Sequence, residues 1–316
     1  MHPPRRPAIL AAILFVGGAC GAPPPAPTGD PPASPSAVVT PDAADQIPAM
    51  VIRADLDDGV RWWVTSPGAP LARRPLAVPA GDVQLGPAAV DGSILLTVDA
   101  TAAVARLGGD ELTPMRVVDL EASGLGASIP GCLSAEGAIA VADAGTLSLS
   151  VLPPDGRAIL IEVPLSLGEC AWLEDGSLVF SAEGDRLFAW DAGTGDELPL
   201  AATGRHPSSG GGLVSVVDRS APQPIVVVRA TDPDPQHPDP LGPERFRVPT
   251  GPEELVTNAR LSPDGGWLAL TLAVGPEGAT TQRVRFYRMT VAGPEAKAEI
   301  PLGGREQVTL LPAGWR

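Results

Sequence analysis

The 316-residue chain carries 37 acidic and 22 basic side chains, a net charge of −15. Because like charges repel, this balance argues against binding to phosphate backbones. Lys297 is the only lysine and no basic stripe is present, so we expect no nucleic-acid partner. Residues 46–316 are enough for one large domain or two small ones.

The first 19 residues have the three parts of an export signal. Arg5 and Arg6 give a positive start, an apolar run extends from Ala8 to Val16, and small residues follow it. An apolar run this short does not comfortably cross a bilayer, which needs about 20 residues. We therefore predict a signal peptide over residues 1–19. The alternative is a short N-terminal membrane anchor or a buried helix.

The signal ends in Gly18-Ala19-Cys20. This ending resembles the bacterial lipobox, in which small residues precede a cysteine that becomes lipidated. Gly17 stands where that family usually has an aliphatic residue. The resemblance implies a lipid on Cys20 that holds the protein to a membrane of the bacterial cell envelope, on its extracytoplasmic side.

After Cys20 the composition changes to Pro, Ala, Ser, Thr and Asp as far as Asp45. No hydrophobic period occurs in residues 20–45, so little surface there can be buried and we expect a disordered or extended linker. A proline-rich chain rises about 3.1 Å per residue and would hold a domain away from a membrane.

The chain has three cysteines, and an odd number is awkward in an oxidising compartment. Assigning Cys20 to the lipid leaves Cys132 and Cys170, which we predict to form a disulfide. Two free buried thiols are the alternative.

The remaining residues, 46–316, contain short apolar runs bounded by Gly, Pro or Asp, and none keeps a helical period for three turns. We therefore predict an all-β domain with almost no helix. The clearest strand candidates are Ser93–Val98, Ile139–Ala142, Ser177–Ser181, Ile225–Arg229, Trp267–Leu272 and Val284–Thr290.

One turn motif stands out, Ser262-Pro263-Asp264-Gly265. Pro263 presets the backbone for a turn, Asp264 can accept bonds from nearby amides, and Gly265 tolerates a positive φ. An apolar strand pattern begins at Trp267, so the segment is typical of a hairpin.

The same pattern of an acidic residue, a glycine and a strand recurs at Asp91, Glu136 and Asp175. The markers are 45 and 39 residues apart, and Asp264 follows after 89 residues, or two steps of about 44. We therefore expect a missing marker near residue 220. A period of 40–45 residues built from short strands is the signature of propeller blades.

This turn and the strand after it resemble the WD40-like propeller repeat of the TolB type, which is also found in relatives of prolyl oligopeptidase. The resemblance implies a β-propeller over residues 46–316 and no specific activity. Counting outward places end strands near residues 50–52 and 308–311, which would pair to close about six four-stranded blades. Five or seven blades, or a pair of β-sandwiches, are the alternatives. Cys132 and Cys170 would then lie on inner strands of consecutive blades.

The sequence contains little recognisable chemistry. No Gly-x-Ser-x-Gly motif is present, and we assign His206 to a solvated loop rather than to catalysis. The loop of residues 232–239 holds three carboxylates and His237, but its prolines oppose the wrapping of a calcium loop. We predict no catalytic residue, no metal site and no cofactor.

Trp62 and Trp63 are adjacent and would face opposite sides of a strand, so one of them could offer a surface for stacking a sugar or peptide. Packing between blades is the simpler interpretation, and it covers Trp172, Trp190 and Trp267 as well.

These observations favour a non-catalytic, membrane-anchored module that binds an envelope protein, a small molecule or a glycan. The alternative is a propeller enzyme, such as a lyase, lactonase or hydrolase, with a site assembled across blades. A periplasmic accessory to an envelope complex is a third option. A cluster of Arg, Asp and His at the channel mouth would favour the enzyme, and a smooth or apolar mouth would favour binding.

Overall fold

The computed structural model describes residues 45–312 except 100, 121, 123–127, 144–147, 155–158, 163–168, 221–222, 232–238, 249, 276–280 and 304. The predicted signal peptide, Cys20 and the predicted linker up to residue 44 lie outside the described residues.

The described residues form 24 β-strands and one 3-10 turn at Glu183–Asp185. The first six strands are β1 (Met50–Leu56), β2 (Gly59–Ser66), β3 (Ala69–Pro75), β4 (Val83–Ala88), β5 (Ser93–Val98) and β6 (Thr101–Gly108). The next six are β7 (Glu111–Asp119), β8 (Ser128–Leu133), β9 (Ile139–Asp143), β10 (Ser148–Leu152), β11 (Ile159–Glu162) and β12 (Cys170–Trp172). They are followed by β13 (Ser177–Ala182), β14 (Arg186–Asp191), β15 (Glu197–Thr203), β16 (Arg205–Gly210), β17 (Leu213–Asp218) and β18 (Ile225–Thr231). The last six are β19 (Leu241–Val248), β20 (Glu254–Leu261), β21 (Trp267–Val274), β22 (Thr281–Thr290), β23 (Gly293–Leu302) and β24 (Arg305–Leu310).

These strands form six antiparallel sheets of four strands each, the blades of a propeller. Blade 1 has the order β24-β1-β2-β3, and blades 2 to 6 take β4–β7, β8–β11, β12–β15, β16–β19 and β20–β23 in turn. Every run that the sequence pattern selected as a strand lies in a second or third strand of a blade.

The two ends of the described chain close the ring within blade 1. Strand β24 pairs with β1 from Met50 opposite Leu310 to Asp55 opposite Arg305. The amide of Leu311 also donates to the carbonyl of Ala49 at 2.9 Å. This pairing confirms the predicted closure and the count of six blades, and it leaves neither end strand as an open edge inside the ring.

The hydrophobic core is divided into six clusters, and each lies between two neighbouring blades. The second strands β5, β13, β17 and β21 are therefore covered on both faces and are almost completely buried. In β21, for example, the first six residues are all buried. The outermost strands are more exposed, and in β3 no residue is fully buried.

The missing turn marker is not where the spacing placed it. Residues 219–224 connect β17 to β18, the second and third strands of blade 5, so the expectation near residue 220 is wrong. The equivalent turn between first and second strands lies at Gly211-Gly212, with φ of +53° and +71°. Two positive φ values in a two-residue hairpin are typical of a type I′ turn, which glycine forms without strain. Blade 5 therefore has Gly-Gly where other blades have an acidic residue and glycine.

Candidate functional site

The innermost strands β24, β4, β8, β12, β16 and β20 contact one another in that order around a central channel. Since every blade repeats the same antiparallel order, these strands all begin at one end of the channel. We call that end the start end, which contains Gln84, Glu169, Asn258 and Gln307. The opposite end, at which the strands finish in turns, is the turn end.

A cavity of about 130 Å³ lies at the start end. Three side-chain amides line one part of it: Gln84 from β4, Asn258 from β20 and Gln307 from β24. Glu169, which directly precedes β12, and Arg260 of β20 also border the cavity. The innermost strands therefore direct polar side chains into the channel here, while their flanks pack between blades.

Three charged or titratable groups meet at this end. A guanidinium nitrogen of Arg260 lies 3.1 Å from Oε2 of Glu169, and Nδ1 of His206 lies 3.2 Å from the same oxygen. The exposed fraction of the side chain is 18% for Arg260, 31% for Glu169 and 21% for His206. Water therefore screens the interactions among their charges only in part. They come from blades 6, 4 and 5, and only the ring brings them together.

The electrostatics of this cluster keep Glu169 charged. Burial raises the pKa of Glu169, but the Arg260 charge and the contact with His206 outweigh it and lower the pKa to about 2. Glu169 is therefore a fixed hydrogen-bond acceptor at neutral pH. Such a carboxylate holds its partners in place and has no proton to donate as a general acid.

His206 is not in a solvated loop, which corrects the assignment made from its sequence neighbours. It is the second residue of β16 and its ring is largely buried against Glu169. Its backbone has a φ of +52°, and the pairing of β16 with β17 shifts register between Arg205 and Ser208. A non-glycine residue in this region is strained, and such strain tends to occur at functional sites.

Asn258 has an unusual environment. Its Oδ1 is buried and has no hydrogen-bond partner in the described part of the chain. A buried amide oxygen without a partner costs about 1–3 kcal/mol. Because Asn258 also borders the cavity, a molecule bound there could satisfy this amide.

The turn end has smaller cavities, of about 40 and 70 Å³, and its lining mixes apolar side chains with polar ones such as Ser209. Its lining includes Ala88, Leu133, Trp172, Leu261 and Leu310. The structure joins Cys132 of β8 to Cys170 of β12 by a disulfide between the two ends of the channel, with their Cα atoms 5.7 Å apart, and Cys170 borders the cavities of both ends. The disulfide links the first strands of blades 3 and 4, so it ties two neighbouring sheets at the channel wall.

The Ser262-Pro263-Asp264-Gly265 motif forms the turn between β20 and β21. The hydroxyl of Ser262 donates a hydrogen bond to the Asp264 carboxylate at 2.5 Å and accepts one from the amide of Trp267 at 2.9 Å. The amide of Gly265 donates to the Ser262 carbonyl at 2.8 Å. The motif thus uses these polar groups to build its own turn, and its role is structural.

This turn rests directly on the glycine turn of blade 5. The amide of Gly211 donates to the Pro263 carbonyl at 3.2 Å. A Cβ placed on Gly210 or Gly211 would lie 2.0 Å from the Ser262 oxygen or 2.2 Å from the Asp264 oxygen. Glycine is therefore required for two backbones to approach this closely.

The tryptophans pack between blades. Trp62 is buried in the cluster between blades 1 and 2. Trp63 packs on the opposite face of the sheet, against the cluster between blades 6 and 1, with the guanidinium of Arg73 5.5 Å from its ring. Trp172, Trp190 and Trp267 are buried as well, so the simpler interpretation of all five residues is confirmed.

Other chemistry is sparse. Among the residues that the structure describes, no three His, Cys, Asp or Glu side chains group closely enough to hold a metal ion. In the same ranges, no helix has the length and apolar content needed to cross a bilayer. The acidic loop at residues 232–238, including His237, lies outside the described residues.

The sequence interpretation missed the polar residues of the start end, although the repeat carried a signal for them. Gln84 lies seven residues before the marker Asp91, while Glu169 and Asn258 lie six before Asp175 and Asp264. Extending the repeat register backwards from these three turns would have placed polar side chains at similar positions in blades 2, 4 and 6, whereas blade 3 has Ile129 and Pro130 there.

Six four-stranded blades around a central channel define the protein as a WD40-like β-propeller. The comparisons with solved structures agree with this class. The chain is similar to the β-propeller domain of Cps50 (Swd1) from Myceliophteria thermophila, with a TM-score of 0.51, 11% identity, and coverage of 85% of this chain and 90% of that one.

A second similar structure is Hsv2 from Kluyveromyces lactis, with a TM-score of 0.50 and 12% identity. The match covers 69% of this chain and spans 62% of Hsv2. A third is the WD40 domain of coronin from Toxoplasma gondii, with a TM-score of 0.47, 10% identity, and coverage of 81% and 69%. The sequence matches no protein-family model and no curated protein. Identities this low show the fold alone.

Proposed function

We propose that the protein is a bacterial lipoprotein of the TolB-like propeller type that acts as a non-catalytic binding module outside the cytoplasm. In this proposal residues 1–19 are the signal peptide, Cys20 carries the lipid, and the linker up to Asp45 presents the propeller. The observation that carries the binding function is the polar cavity at the start end, walled by side chains from several blades.

A cluster of basic and acidic groups at the channel mouth is the feature named above as favouring an enzyme, but the fixed charge of Glu169 supports binding. Glu169 stays ionised because its pKa is lowered to about 2, and it is held between Arg260 and His206. Cys170, which borders the same cavity, is in the disulfide and is not a free nucleophile. The side chains are thus placed to hold a ligand through hydrogen bonds rather than to transfer a proton or form a covalent bond.

A second candidate function is an enzyme, and one specific feature favours it. His206 presents Nδ1 to a carboxylate while its backbone is held in a left-handed conformation. A carboxylate that orients an imidazole in this way is also the arrangement that prepares histidine to act as a general base.

One experiment separates the two candidates. The full-length protein, purified in detergent, is titrated calorimetrically with neutral sugars, sugar acids, amino sugars and short peptides, and each compound is then examined by mass spectrometry. We expect at least one class to bind saturably and to be recovered unchanged. Conversion of a compound that is lost in His206→Ala would establish the enzyme instead. If no class bound and none was converted, the binding proposal would be wrong.

The anchor is tested separately. Cells expressing the protein are labelled with a radioactive fatty acid and fractionated. We expect label on the unchanged protein and none on Cys20→Ala, which should also leave the membrane fraction. An unlabelled protein, together with a Cys20→Ala form that stays on membranes, would show that the lipoprotein proposal is wrong.

A further inference from the structure

We propose that the start end of the channel binds an uncharged, hydroxyl-rich ligand of about one sugar ring, either a free monosaccharide or the terminal unit of a glycan. This inference rests on the proposed binding function and specifies its ligand class. Four properties of the cavity carry it: its charge balance, its amides, its size and the apolar side chains beside it.

The charges of the cavity cancel. Its charged lining residues in the described chain are Glu169 and Arg260, and the two form an ion pair with each other at 3.1 Å. A charged ligand would therefore meet no unpaired opposite charge and would have to leave water without compensation. The excess of 37 acidic over 22 basic residues opposes anions further. The cavity is consequently matched to a neutral molecule.

The amides provide the hydrogen bonds that hydroxyl groups need. Gln84, Asn258 and Gln307 come from β4, β20 and β24 of three consecutive blades, and each amide offers both donors and an acceptor. A sugar hydroxyl likewise both donates and accepts, so it can bond to either end of each amide. Glu169 adds an acceptor and Arg260 adds donors on the side of the cavity formed by β12 and β20.

The size of the cavity limits the ligand. One bound water needs about 10–15 Å³ of cavity volume. A cavity of 130 Å³ therefore has room for about ten waters, or about ten non-hydrogen atoms of a ligand. One six-membered sugar ring with its hydroxyl groups has about that number. A disaccharide does not fit as a whole, and a longer glycan would place only its terminal unit inside.

Apolar side chains lie beside the polar cavity toward the turn end, among polar ones such as Ser208 and Ser209. Cys170, Arg260 and Thr309 border both the start-end cavity and the neighbouring cavity that contains Trp172 and Leu133. Sugar rings have C–H faces that pack on apolar and aromatic groups, while their hydroxyl edges need polar partners. The channel therefore offers polar partners for the hydroxyl groups at the start end and apolar side chains for a sugar face next to them.

The inference is tested by calorimetric titration of the full-length protein in detergent with glucose, galactose, mannose and N-acetylglucosamine. Glucuronate and glucosamine serve as anionic and cationic counterparts of glucose, and maltose and chitobiose serve as short glycans. We expect at least one uncharged sugar to bind at least about tenfold more tightly than any charged one. Gln84→Ala and Asn258→Ala should each weaken that binding about tenfold, equivalent to about 1.4 kcal/mol.

The matched control is Gln223→Ala, since Gln223 is an exposed amide in the turn between β17 and β18. It should bind like the unchanged protein, and circular dichroism should show that all variants melt as a single folded species. Tighter binding of glucuronate or glucosamine, or of a peptide at the same residues, would overturn the ligand class and leave the binding function intact. If none of these sugars bound, the ligand class would be wrong, and the binding function would be wrong as well only if the peptides of the earlier titration also failed to bind.

Discussion

The two ends of the channel are built from the same six strands, yet they differ in almost every physical property. The start end has amides, an ion pair and a strained histidine around a cavity. The turn end has more apolar side chains, smaller cavities and turns whose backbones touch, and the disulfide lies between the two ends. The difference leads us to expect that the turn end contributes more to stability, while the start end accommodates polar groups around its cavity.

This contrast has a structural cause. At the turn end, short hairpins force neighbouring blades together, as Gly210-Gly211 and Asp264-Gly265 do. At the start end, polar side chains of the innermost strands border a larger cavity. Substitutions at the turn end should therefore affect stability most strongly, and those at the start end should affect it less.

The largest expected effect comes from removing the disulfide. Cys132→Ala combined with Cys170→Ala opens a cross-link between residues 38 apart. We expect the free energy of unfolding, measured with urea, to fall by about 2–4 kcal/mol, because the unfolded chain regains the freedom that the cross-link removed. Reductant should produce the same loss in the unchanged protein and none in the double variant. An unaltered urea midpoint in the double variant would show that this cross-link does not stabilise the channel wall.

The next largest effect is expected within the turn between β16 and β17, where two neighbouring glycines should differ in the stability that their substitution costs. In Gly211→Ala the new Cβ would lie 2.2 Å from the Asp264 oxygen, whereas in Gly212→Ala the nearest atom is 3.8 Å away. Both residues have positive φ, so both variants share a backbone penalty of about 1 kcal/mol. Crowding should bring the loss for Gly211→Ala to about 3 kcal/mol in thermal unfolding. Equal losses of stability in the two variants would show that the close approach of the two turns does not add to the cost of Gly211→Ala.

The smallest effect is expected at the start end, from Glu169→Gln. The pKa of Glu169 is lowered from 4.5 to about 2, so its contribution to stability is fully present above pH 4.5 and is lost as the pH falls to about 2. Allowing for partial solvent screening, we expect a loss of about 1–2 kcal/mol at pH 7.

The difference between this variant and the unchanged protein should shrink as urea titrations are repeated from pH 5 to pH 2. Glu174→Gln is the control, since Glu174 is exposed and borders the turn end. A difference that stayed constant over this pH range would refute the role of the Glu169 charge.

Much of the fold was predictable because it depends on local patterns. The apolar runs, the glycine-containing turns and their spacing identified the middle strands of the blades and the pairing of the chain ends. The turn of blade 5 was placed wrongly because Gly211-Gly212 replaces the acidic marker and shortens that repeat. The spacing could not reveal this, since the following repeat is longer by a compensating amount.

The candidate site was predictable only in part. His206 lies among Gly, Arg, Pro and Ser in the sequence, so its neighbours indicated a loop, but its strand lines the channel. Glu169 and Arg260 are 91 residues apart and have no local pattern that connects them. Their contact depends on the angle and order of the blades rather than on any motif.

The sequence by itself determined the all-β class, the six repeats and the turn chemistry, because strand alternation and turn residues act over a few positions. The tertiary structure decided which polar side chains share the channel, because Glu169, His206 and Arg260 come from three blades and meet only when the ring closes. Closure also separates the packed turn end from the polar start end, and that separation gives the propeller its candidate binding site.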